Sequence, residues 1–192
     1  MSSTCRKANR GVTLVELIVF IVIVGVAMAG LFAAFDTITK ASADPQVRKQ
    51  VLAIAESLME EVQLMPFTYC DPDDANAATA GGTGGCAIAA NNEDLAIGPE
   101  GAETRYSTTT RFDNVSDYHN APIGPGIRDI EGNGIVGLEA YSATITITRA
   151  GTALGLAAND AALKISILVT GPGSVSMTLE GYRTRYAPNT LP

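Results

Sequence analysis

The chain has little from which to build a catalytic site. Its 192 residues include one histidine, His119, and no tryptophan. His119 has no acid or nucleophile at a recognisable catalytic spacing, and within SDYHNAPIGPG it reads as a loop residue. Basic residues are also scarce, 13 against 20 acidic ones, for a formal net charge of −7. That balance disfavours nucleic acid as a partner, and no basic stripe is visible. The three cysteines show no C-x2-C metal spacing. Gly81-Gly82-Thr83-Gly84-Gly85 lacks the lysine and the following helical pattern of a phosphate-binding loop. No cofactor and no enzymatic activity are expected from these residues.

What the chain does have is one long apolar run. Residues 12–35 form 24 consecutive positions with Glu16 as the only ionisable group. As a helix they would extend about 36 Å, against about 30 Å of bilayer hydrocarbon. Arg6, Lys7 and Arg10 precede the run and Asp36 follows it, which by the positive-inside bias places the N-terminus in the cytoplasm and the remainder outside. A carboxylate inside such a span costs roughly 2.5–3.5 kcal/mol on insertion scales and calls for a partner.

The neighbours of Glu16 suggest that partner. The segment Gly11-Val12-Thr13-Leu14-Val15-Glu16, between a short basic leader and the apolar run, resembles the prepilin peptidase signal of type IV pilins and type II secretion pseudopilins. The resemblance implies cleavage between Gly11 and Val12, N-methylation of Val12, and pairing of Glu16 with the α-ammonium of Val12 on an adjacent subunit. Val12 departs from the family, which most often has phenylalanine there. An ordinary secretory signal peptide is the competing reading, with Ala27-Met28-Ala29 before Gly30 as its cleavage site. It leaves the acid unexplained, and the apolar run continues past that site through Leu31, Phe32 and Phe35.

Once residues 1–11 are read as a leader, its three cations leave with it and the mature charge becomes −10. Cys5 also leaves, and Cys70 and Cys86 remain as an even pair in an oxidising compartment, where a disulfide is expected. The chain-entropy model gives such a loop about 3 kcal/mol.

Beyond the span, Asp44-Pro45 reads as a helix restart, followed by an apolar stripe of Val47, Val51, Ile54, Leu58, Val62 and Met65. Glu56, Glu60, Glu61 and Gln63 read as a solvated flank. Pro45 predicts a kink or break near residues 42–45, and Pro66 closes the segment. Residues 67–102 read as loops too small and polar to supply a core. Strand signals appear at 105–112, rich in threonine, and at 138–149, where Tyr141, Ala143, Ile145 and Ile147 alternate with Ser142, Thr144, Thr146 and Thr148. Leu163, Ile165, Ile167 and Val169 repeat the pattern, and Gly171-Pro172-Gly173 turns the chain into Val175, Met177 and Leu179 as a hairpin. Tyr182 and Tyr186 lie beyond.

Two acidic stretches are weak calcium candidates. One is Asp71, Asp73, Asp74 and Asn76; the other is Asp129-x-Glu131-x-Asn133-Gly134. Both lack the full spacing, the second having Ala140 where a bidentate Glu belongs, and they read more simply as turn chemistry.

The expected architecture is α+β: a long N-terminal helix, half transmembrane and half amphipathic, packed on an antiparallel β-meander. Its parts are a leader (1–11), an assembly helix (12–42), an amphipathic helix (43–66) and a β-rich head (67–192) with a disulfide loop at 70–86. Residues 43–71 and 171–188 further resemble minor pilins of the mannose-sensitive haemagglutinin (MSHA) type, the D-type group in particular. That resemblance implies a low-copy filament subunit acting in pilus assembly and adhesion. Its partners would be other pilin subunits, a prepilin peptidase, an assembly platform and the inner membrane. A minor pseudopilin of type II secretion is the alternative. Gly25 and Gly30 weaken the span's helix and predict local unwinding there on assembly.

Overall fold

The computed structural model describes residues 12–93 and 97–191, with the side chains of 38–44 outside the description. Helix α1, Leu14–Leu64, is followed by strands β1 (Pro122–Ile123), β2 (Ser142–Arg149), β3 (Ala162–Thr170) and β4 (Ser176–Thr184). The chain divides into two units between Pro45 and Gln46.

In the first unit, Leu14–Thr37 is long and apolar enough to cross a membrane. Every side chain from Val12 to Thr37 is exposed, so the segment is apolar around its whole circumference and has no protein surface covering it. Thr37 disposes of its hydroxyl internally, donating it to the Ala33 carbonyl at 3.0 Å. The break expected near residues 42–45 is not found: the helical assignment passes through Pro45. Proline removes one N–H from a 51-residue ladder, and the bonds on either side carry the helix across.

The second unit is built on a four-stranded antiparallel sheet in the order β1-β2-β3-β4. Period-two alternation puts Ala143, Ile145 and Ile147 of β2 and Leu163, Ile165, Ile167 and Val169 of β3 on one buried face. The register stacks Ile145 against Ile167 and Leu179, so branched side chains meet across three strands. Residues 51–62 of α1 cover this face with Val51, Ile54, Ala55, Leu58, Met59 and Val62 in one core. Removing each large side chain of this set from water contributes roughly 1.5–3 kcal/mol. Met59 and Gln63 lie against Gly181, where a Cβ would come within 2.8 Å of both. Arg183 of β4 then donates Nη2 to the Met65 carbonyl at 3.1 Å, bringing a cation to the helix C-terminus.

Residues 105–112 do not form the expected strand. Ser107 Oγ accepts from the backbone N–H of Thr109 at 3.3 Å and of Thr110 at 3.0 Å. A hydroxyl that satisfies the backbone locally competes with ladder pairing. Arg105 is buried at the start of this stretch, donating to both carboxylate oxygens of Glu61 at 2.7 and 2.6 Å. Tyr118 donates its hydroxyl to Glu61 Oε1 at 3.0 Å. Glu61 is therefore not part of a solvated flank: it anchors the loops to α1. His119 has a comparable structural task, its Nδ1 accepting the Ile147 N–H at 3.0 Å where β1 is too short to pair with β2.

Truncating Arg105 would strand the Glu61 carboxylate in a largely dry site. Arg105→Ala is expected to lower stability by about 3 kcal/mol or more, measured by denaturant unfolding. Glu61→Gln introduced beside it should recover part of that loss, because the uncompensated charge is gone.

Candidate functional site

At the N-terminus, Thr13 starts the helix: its Oγ1 accepts the Glu16 N–H at 3.3 Å and its carbonyl accepts the Leu17 N–H at 3.1 Å. Threonine followed three residues later by glutamate is a helix-start pattern, and an acid in the first turn complements the helix dipole. Thr13 therefore fixes where the helix begins relative to Val12 and Glu16, a role that reading the segment only as a cleavage signal overlooks. Val12 and Glu16 are both exposed. Gly11 and the leader cations lie outside the described residues.

In the second unit, Cys70 and Cys86 are joined by a disulfide with a Cα–Cα separation of 5.6 Å. The loop it closes does have a small core, contrary to expectation: Ala77 and Ala80 are buried against Cys70, with Tyr69 and Cys86 beside them. Asp74 organises it. Its Oδ1 accepts from the N–H groups of Asn76 and Ala87 at 2.9 and 2.8 Å, and its Oδ2 from Ile88 N–H and Asn91 Nδ2 at 3.0 and 3.2 Å. The Ala87 bond contributes most to holding its pKa below the ordinary value.

The weak calcium candidates separate. Asp129 Oδ1 accepts from Glu131 N–H at 3.0 Å and Asn133 N–H at 2.8 Å, and its Oδ2 accepts from Asn133 Nδ2 at 3.2 Å. That loop is turn chemistry. Asp73 contributes its N–H to Asp71 Oδ1 at 2.6 Å and joins no carboxylate triad among the described residues. Asp71, by contrast, is carried into a cluster that no linear spacing announces.

Two triads of carboxylates form there, Asp71–Glu103–Asp113 and Glu93–Glu100–Asp117, each with oxygens within 4.8 Å of one another. The backbone places them by short contacts. Asp71 N–H donates to the Asn91 carbonyl at 2.9 Å and Glu93 N–H to the Tyr69 carbonyl at 3.2 Å, which sets 71 beside 93. Asn114 Nδ2 donates to Thr68 Oγ1 at 2.7 Å and Val115 N–H to the Pro66 carbonyl at 3.1 Å, which seats 113–117 against the same segment. Asp117 Oδ2 accepts from the N–H groups of Asp113 and Asn114 at 3.0 and 2.7 Å. Glu93 Oε2 accepts from the Ser116 hydroxyl. Among the described residues no lysine, arginine or histidine forms an ion pair with any of the six.

Burial, reinforced by neighbouring acids, pushes Glu93 up to about 10 and Asp117 up to about 9. Glu103 rises to about 8, and Glu100 and Asp113 to about 7, for the same leading reason. Burial likewise raises Asp71.

Residues 6–32 match a family model described as the prokaryotic N-terminal methylation motif. Neither the curated proteins nor the solved structures yielded a match. The matched segment contains Gly11, Val12, Glu16 and most of the apolar run. It supports a type IV pilin-like prepilin or pseudopilin and points to a structural subunit.

The six acids bind protons in the folded chain at pH values where an unfolded chain has released them. In buffer stripped of divalent cations, stability should therefore fall as pH rises from about 5 to about 9. Thermal melts of the detergent-solubilised chain would show this as a declining Tm; a flat or rising Tm would contradict it.

Proposed function

We propose that this chain is a minor structural subunit of a type IV pilus of the MSHA type, close to its D-type subunits, contributing to pilus assembly and adhesion. The observation that supports it most directly is the methylation-motif match lying over a helix that is apolar on every side and carries Glu16 as its one ionisable group. Prepilin peptidase would cut between Gly11 and Val12, Val12 would be N-methylated, and the subunit would wait in the inner membrane with its head in the periplasm. The MSHA assignment rests on residues 43–71 and 171–188.

Assembly follows from what the span cannot satisfy alone. In hydrocarbon, Glu16 needs a cation, and its own helix from Val12 to Phe35 offers no basic side chain. The α-ammonium of a neighbour's Val12 supplies one. Docking by this pair lets the helix leave lipid for a filament of packed helices while its apolar surface stays covered throughout. Other pilin subunits and the assembly platform are the partners this mechanism requires.

Mass spectrometry of the N-terminal peptide from membrane and sheared-surface fractions should find a methylated Val12 terminus. A terminus at Gly30 or an intact Met1 would overturn the proposal. Glu16→Gln should leave processing intact and reduce the sheared-surface fraction at least about tenfold, the equivalent of about 1.4 kcal/mol of lost pairing. Deletion should abolish pili; loss of protein secretion with pili retained would assign the chain to a type II secretion pseudopilus.

In the isolated chain α1 is helical through Gly25 and Gly30. In the filament the stretch between them should unwind, and a filament map with unbroken helical density over residues 12–42 would refute this.

A further inference from the structure

We propose that Glu93, Glu100 and Asp117 form a calcium-binding site in the head, with Asp71, Glu103 and Asp113 as an adjoining acidic shell. It stands independently of the filament reading, because every residue lies beyond the N-terminal segment.

A group of acids alone would not establish a site, since exposed carboxylates gather without ligands. Here the inner members are withdrawn from water and incompletely bonded. Glu93 is 2% exposed and Asp117 is fully buried. Glu93 Oε1 and Asp117 Oδ1 are both buried without a hydrogen-bond donor, and so are Glu100 Oε2 and Glu103 Oε2. The remaining oxygens of the two inner acids are already held: Ser116 occupies Glu93 Oε2, and two backbone N–H groups occupy Asp117 Oδ2. Each inner carboxylate is thus fixed by one oxygen and presents the other, with Glu100, to a common point.

The chemistry of that point selects its occupant. All donors are carboxylate oxygens, with no histidine or cysteine to favour a softer metal. Oxygens bound to one calcium lie about 2.3–2.6 Å from it, so two on opposite sides are up to about 5 Å apart, compatible with the 4.8 Å limit here. Magnesium is held at about 2.0–2.1 Å, keeps much of its water and demands octahedral order. A crowded, fully acidic pocket on irregular backbone suits calcium better. The ion would join four separate loop segments, around residues 71, 93, 100–103 and 113–117, none of which belongs to the sheet.

The test uses the full chain in detergent, stripped with EGTA and titrated with CaCl2 by calorimetry and thermal melts. Saturable calcium binding is expected, with Tm raised by about 5–10 °C at a hundredfold excess over Kd. Glu93→Gln combined with Asp117→Asn should abolish the response. Without calcium this variant should melt no lower than the stripped native chain, because two buried charges become amides. Glu100→Gln, at a partly exposed position, should weaken binding at least tenfold. Asp129→Asn, in the satisfied turn, should change nothing. No calorimetric or thermal response of the native chain would overturn the proposal, as would an undiminished response in the double variant or an equal response to MgCl2.

Discussion

The head depends on one contact: residues 51–62 of α1 lying across the buried face of β2 and β3. That contact removes Val51, Ile54, Leu58 and Val62 from water together with Ile145, Ile147, Ile165 and Ile167, and no other helix of comparable length is present among the described residues. A four-stranded sheet with one uncovered apolar face would not be stable alone. Because the same helix continues from the apolar segment, the element that completes the head's core is also the one that leads into the proposed anchor. The long irregular region between α1 and β2 is then hung on this frame by polar bonds. Arg105 to Glu61, Tyr118 to Glu61 and Arg183 to the Met65 carbonyl each run from a distant part of the chain to α1.

Those attachments expose a second constraint, the cost of taking acids out of water. Glu61 is neutralised by Arg105 inside the same fold, with Tyr118 satisfying the carboxylate further. Asp74 is satisfied by four N–H donors of its own loop. The six acids of the head cluster have neither solution, since their leading electrostatic neighbours are other acids. A fold that spends arginines on single carboxylates elsewhere yet provides none here leaves the charge to a proton or to a cation from solution.

What could be read from the sequence was what repeats at short range. The three-and-four spacing of Val47 to Met65 and the alternation of 142–149 and 163–169 reflect how a helix and a strand present their faces, and both elements were recovered with their buried sides. The acidic cluster was not legible, because its members are separated by up to 46 positions and converge only after Tyr69–Asp71 pairs with Asn91–Glu93 and Asn114 reaches Thr68. Glu61 was misread for a related reason. Helical spacing shows that it lies off the apolar stripe, but the arginine that covers it is 44 residues away. Residues 105–112 have strand-like composition, yet Ser107 closes a local turn that composition does not weigh.

The two unneutralised acidic positions, Glu16 and the head cluster, differ in a way that decides what each can accept. Glu16 stands alone on an exposed helix surface at the start of an apolar segment, so one monovalent group approaching from outside is sufficient in charge and is sterically admitted. An amino group on another chain meets both conditions and converts an unfavourable burial into a contact between subunits. The head cluster concentrates six carboxylates from four loop segments, with its innermost oxygens closed off from solvent. One ammonium would leave most of that charge uncompensated and would bring three N–H donors to a point where more acceptors converge. A small divalent ion brings twice the charge, has no directional donors to misplace and takes six to eight oxygens. The same physical cost, a carboxylate removed from water, thus favours an intermolecular protein contact at one end of the chain and a bound ion at the other.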